Sequence, residues 1–156
     1  MMENEDAFAL WITKGVLASV GEEVALATVE DLEADAIDGA PLAEALDDMK
    51  QFDRKAGDFG VEIIGPILIP ILIEAGRQLW KAYSAKLVKD AGERLASLTL
   101  ASVQSLAKQH LTGQETAAEY EEAVRTIAAK NGLDEAQLAQ VLEAIRDGRV
   151  GTALAA

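Results

Sequence analysis

Cysteine is missing from this 156-residue chain, histidine occurs once, and aromatic residues make up only 4% of it. Without thiols there can be no disulfide, no thiol nucleophile, no zinc knuckle and no iron–sulfur ligation. Basic residues are also scarce: 14 Lys and Arg stand against 27 Asp and Glu, for a net charge of −13. That balance argues against non-specific nucleic-acid binding, in which Lys and Arg displace condensed counterions. Nowhere do apolar and polar residues alternate for long, so strand signals are weak. What is abundant is alanine, with 29 copies, together with 19 Leu. Alanine and leucine favour helix. With half its residues hydrophobic, the chain is no disordered acidic tail and can bury a core. The fold expected is all-α, a bundle of five to seven helices with a C-terminal helical hairpin.

Periodicity places the helices. Phe8, Ile12, Val16 and Val20 recur every four residues, with Gly21 as the stop. Val24, Leu26, Val29 and Leu32 run to the breaker Asp38-Gly39. Leu42, Ala45, Leu46 and Met49 follow Pro41, a first-turn proline. Pro66 and Pro70 then argue against one uninterrupted helix, so a kinked helix, or an extended or turning segment leading into a helix near Pro70, is expected, running on towards Leu111 unless Gly92 divides it. Tyr120, Val124 and Ile127 define a helix closed by Asn131-Gly132. Asp134 and Gln137 resemble a capping box that opens a last helix through Leu138, Val141 and Ile145. The domain layout expected is a main bundle over residues 1–111, a hairpin over 112–149 and a flexible tail over 150–156. The last four residues, Ala153-Leu154-Ala155-Ala156, resemble the end of the bacterial tag that marks stalled translation products, a signal that implies an accessible end.

No convergent chemistry stands out. His110 lies near Ser105, but nothing flags the third group of a Ser–His–acid set, and a solvated helix-end histidine explains it. Glu115, Glu119 and Glu122 share a helical face without the Glu-x-x-His partner of a di-metal bundle. Asp58-Phe59-Gly60 matches a kinase metal motif in a chain too short to be a kinase. No Walker loop, dinucleotide fingerprint or calcium loop is present. The spacing of Ile127, Gly132, Leu138 and Val141 suits a helix-turn-helix, yet its second helix would offer Asp134 and Glu135 to phosphate. A packing or docking hairpin accounts better for it. No catalytic residue, metal site or cofactor is expected.

Charge and apolarity are unevenly placed, and this layout carries the functional reading. Residues 1–58 hold 15 acids and 4 bases, whereas residues 77–108 carry 6 bases and 2 acids. Between them, residues 63–73 hold six of the ten isoleucines. Left in water, each would forgo about 1.5–3 kcal/mol of burial. Residues 61–73 are therefore expected to be the most buried stretch of the chain or its principal self-association surface. The candidate interaction residues are Ile63, Ile64, Ile67, Leu68, Ile69, Ile71, Leu72 and Ile73, with Trp80 and Tyr83 beyond them. The candidate basic face is Arg77, Lys81, Lys86, Lys89 and Arg94.

The function expected is a non-enzymatic helical interaction module that oligomerises or docks onto a protein partner. An alternative is a membrane-active effector whose 61–94 region binds or enters anionic membrane once released from the acidic N-terminal region. A third is an acidic nucleic-acid mimic. Partners are a protein or a second copy, with membrane only in some states and no nucleic acid. The acidic start, Glu3-Asn4-Glu5-Asp6, lacks the positive charge of a signal peptide, so a cytoplasmic location is expected, with membrane association in some states.

Overall fold

The computed structural model describes residues 4–39, 44, 64–90, 99–111, 118–133 and 135–155. Among them are seven helices and no strand, an all-α bundle. They are α1 (Asn4–Ser19), α2 (Glu23–Ile37), α3 (Ile64–Asp90), α4 (Leu100–His110), α5 (Ala118–Lys130), α6 (Glu135–Arg146) and α7 (Arg149–Ala155). The expected helix at Pro41–Met49, the triplet at Asp58–Gly60, Gly92, Glu115 and the Asp134 cap lie outside the described residues.

Helix α1 is the centre of the bundle. It packs against α2, α3, α4, α6 and α7, and buries Phe8, Ala9, Leu10, Ile12, Thr13, Gly15, Val16 and Leu17. Burial on several sides requires an apolar circumference, and Lys14 is the one charge between Ala7 and Ser19. The Thr13 hydroxyl is satisfied locally, donating to the Ala9 carbonyl at 2.7 Å. The closest approach is to α3. A Cβ added at Gly76 would stand 2.9 Å from the Ala9 Cα, so glycine is what lets these two backbones meet. Phe8 ties the same pair of helices, its ring centroid 5.5 Å from Trp80 and 6.5 Å from Tyr83.

Helix α3 decides between the two expected forms of this segment, correcting the extended or turning one. It runs from Ile64 to Asp90 with Pro70 inside it. Pro66 falls in the first turn, where the N–H has no intrahelical partner to lose. Pro70 does forfeit one helical hydrogen bond. Continuing the helix keeps Leu68, Ile69, Ile71, Leu72 and Ile73 in the core, each at most 2% exposed, and that burial outweighs one bond. The run towards Leu111 is divided, one of the two expected outcomes, and α4 starts afresh after Thr99. There the Thr99 hydroxyl accepts from the Ser102 N–H, and the Ser102 hydroxyl accepts from the Thr99 N–H, a reciprocal cap.

The C-terminal hairpin is α5, a tight turn and α6. Gly132 adopts φ +81°, and the Leu133 N–H bonds back to the Ala128 carbonyl at 3.0 Å, closing α5 as its sequence implies. Glu121 on α5 accepts from Arg125 at 3.0 Å and from Arg146 on α6. These guanidinium bonds hold its carboxyl below the usual carboxylate range, the Arg146 hydrogen bond contributing most. The hairpin shares one hydrophobic core with the rest of the bundle, through Tyr120, Val124 and Ile127 against α3.

The expected flexible tail is a second correction. Residues Arg149–Ala155 form α7, which packs on α1 and buries Val150 and Leu154. Val150 and Leu154 are one turn apart, so a single face carries both into the core. A Cβ at Gly15 would lie 2.5 Å from the Leu154 Cδ2, so Leu154 occupies a notch that glycine leaves in α1. A tail judged by its lack of pattern was too short to show one.

Candidate interaction surface

The isoleucine segment is core rather than surface. Leu68, Ile69, Ile71, Leu72 and Ile73 are buried, so none is available to a partner on the folded chain. Ile64 and Ile67 lie within α3, and Ile63 lies outside the described residues. Tyr83 is buried as well, and burial, followed by the charge of Glu119, pushes its hydroxyl well above the ordinary tyrosine range. Tyr120 on α5 shifts the same way, through burial first and Tyr83 second. Of the two expected roles the described residues take the buried one, because the aliphatic run sits beside α1, whose own apolar surface needs it.

The basic half of α3 remains largely outside. Lys81, Lys86 and Lys89 are exposed, while Arg77 is half-buried and Arg94 lies outside the described residues. Two acids of α1 meet this face. Arg77 bonds the Asp6 carboxylate through Nε at 2.9 Å and Nη2 at 2.8 Å. Lys81 stands 4.0 Å from Glu5 and is 73% exposed, so its charge is mostly unspent. A loose, exposed pair of that kind adds at most about 1 kcal/mol. Glu23, Glu30, Asp31 and Asp35 sit elsewhere, exposed on α2.

Where the start of α1 crosses the basic half of α3 there is a groove of about 570 Å³. Its walls are Asn4 and Glu5 from α1, and Trp80, Lys81, Ser84, Ala85 and Val88 from α3. The groove is mainly apolar with a cation at one edge. Trp80 is half-buried and held against Phe8, which fixes that wall. Ser84 is the unusual member. It is only 6% exposed, and its hydroxyl has no hydrogen-bond partner among the described residues. Leaving a buried hydroxyl unmatched costs about 1–3 kcal/mol, and groups in that condition ask for an explanation.

Sequence reasoning found Trp80 and Lys81 but missed Ser84, Asn4 and Glu5. Ser84 lies three and four residues after Lys81 and Trp80, so helical spacing already put it on their side. A second pocket, lined by Ser19, Val20, Gln140, Glu143, Asp147 and Arg149, is polar and mixed in charge. Among the described residues no cluster of three or more His, Asp or Glu stands ready for a metal ion, and no helix is long and apolar enough to cross a membrane. Comparison with known protein families, with curated proteins and with solved structures finds no match for the chain.

Proposed function

We propose that this protein is a helical interaction module whose working surface is the groove between α1 and α3, with the lysines of α3 alongside it. The partner element that fits is an acidic amphipathic helix. Its aliphatic side chain would lie against Trp80, Ala85 and Val88, and its carboxylates would face Lys81 and Lys89. Helix-in-groove recognition of this kind takes affinity from the apolar anchor and orientation from the charges. The observation that carries the reading is the Ser84 hydroxyl, buried in the groove wall and unmatched within the described fold. An acceptor from a docked helix would satisfy it.

Titration with fluorescein-labelled acidic helical peptides tests this by anisotropy, with Lys-for-Glu peptides as the control. Saturable binding of the acidic peptide is expected, weakening with added salt and falling at least about tenfold in Lys81→Glu/Lys89→Glu. Equal binding of both peptides, or binding indifferent to the double substitution, would overturn it.

A further inference from the structure

The outer side of α2 matches the groove in shape, charge and spacing, although both belong to the same chain. Val24 is 78% exposed, the most exposed large apolar side chain among the described residues. It begins a stripe that continues through Ala27, Thr28 and Asp31. Ala27 and Asp31 are exposed too, so none of the described residues covers the stripe. Packing of α2 onto α1 and α3 uses a different side, through Ala25, Val29 and Ala36.

We infer that a second copy of this chain occupies the groove, inserting the Val24–Asp31 stripe of its α2 antiparallel to α3. The inference rests on the groove reading above and names the occupant. Its geometric warrant is a common interval. Val24 and Asp31 are seven residues apart, two helical turns or about 10.5 Å. Val88 and Lys81 are also seven apart, in the opposite chain direction. Running antiparallel, the aliphatic residue of one helix meets the aliphatic residue of the other, and the carboxylate meets the ammonium. Between these two contacts come Ala27 and Thr28 on one side, and Ser84 and Ala85 on the other. Four small residues in the middle layer let the backbones approach closely. The Thr28 hydroxyl donates to the Val24 carbonyl at 3.0 Å, which leaves its oxygen free to accept from Ser84. The unmatched hydroxyl thereby gains an acceptor in the layer where it lies.

Charge supports the same occupant. Glu23, Glu30, Asp31, Asp35 and Asp38 are exposed along α2, whereas Lys81, Lys86 and Lys89 are exposed along α3. Opposed fields of this sort speed encounter and fix orientation. Glu5 works against the fit, because its carboxylate already neighbours Lys81. If both patches engage at once between two copies, the contact closes as an isologous two-fold pair; if only one does, it is heterologous and extends to further copies.

Sedimentation velocity over a concentration series, on the full chain, is the test. Mass should rise with concentration in low salt. Asp31→Lys in one preparation and Lys81→Glu in another should each weaken association at least about tenfold, and mixing the two should restore it. Glu5→Gln should strengthen it, and Val24→Asp should abolish it while circular dichroism stays unchanged. A chain that stays monomeric throughout, or one that associates but ignores these exchanges, overturns the inference. If such a monomer still binds the acidic peptide through Lys81, the groove reading survives and only the occupant is wrong. If it binds neither, both readings fall.

Discussion

Helices α1 and α2 follow one another across Gly21, have 16 and 15 residues, and differ sharply in burial. Eight residues of α1 are buried against five neighbouring helices, but only Ala25, Val29 and Ala36 of α2 are. Both contain alanine, leucine and valine in quantity. What separates them is where the charges fall. In α1 the acids sit in the first turn, at Glu5 and Asp6, where the helix N-terminus favours negative charge. In α2 the acids recur at Glu30, Asp31, Glu33 and Asp35, so that only one narrow side can be buried. Charge placement, more than apolar content, has assigned one helix to the centre and the other to the edge.

The strongest way to break that contrast is at Phe8. Phe8→Ala empties the junction of α1 with Trp80 and Tyr83, and should cost about 3–5 kcal/mol in urea unfolding. A loss below 1 kcal/mol would mean that α1 is not the centre.

Gly76→Ala tests the same helix without removing any apolar group. The new methyl would face the Ala9 backbone at 2.9 Å, and backbone cannot swing aside as a side-chain tip can. A loss of about 1–3 kcal/mol is expected from forced separation of α1 and α3. Unchanged stability would show that the two helices can part freely.

A third kind of surface, charged but paired, sharpens the comparison. Glu121 is held by Arg125 and Arg146, and its carboxyl is depressed below the ordinary range. Its stabilisation is therefore complete above the ordinary carboxylate pKa of about 4.3 and disappears as pH falls through the depressed value. Glu121→Gln should cost about 1 kcal/mol at pH 7, and the gap from the parent should close on acidification. A gap that persists at pH 2 would assign the loss to packing.

The smallest effect belongs to α2. Val24→Ala, measured in dilute protein, should leave stability within about 0.5 kcal/mol. A loss near that of a core valine would place Val24 inside the fold.

Much of this architecture was legible because each helix carries its own start and stop. Gly21, Asp38-Gly39 and Asn131-Gly132 end helices in the structure where their backbone freedom allows it. The errors arose where tertiary packing overrode a local rule. Pro70 is a helix breaker by itself, but the five buried aliphatics around it make continuation the better solution. The tail read as loose because Val150 and Leu154 are too few to make a period, and their partner at Gly15 is distant in sequence. The candidate surface was half legible. Trp80 and the lysines announced themselves by type, whereas the isoleucines signalled burial and were as well explained by a core as by an interface. Ser84 gave no sign, since only its surroundings make a serine hydroxyl unusual.

The seat of Leu154 in α1 bears on how the chain is made. On the ribosome, α1 emerges early, and part of its apolar surface stays bare until residues 149–155 follow it out. At 5–20 residues per second the 130 or so intervening residues take roughly 7–27 s. Helix–coil exchange takes about a microsecond, so α1 samples its helix many times over before its environment is complete. During that interval the side of α1 around Gly15 is open to chaperones, to other nascent chains and to proteases. Helix α7 thus acts as a latch on α1, and that side of α1 is vulnerable until α7 follows it.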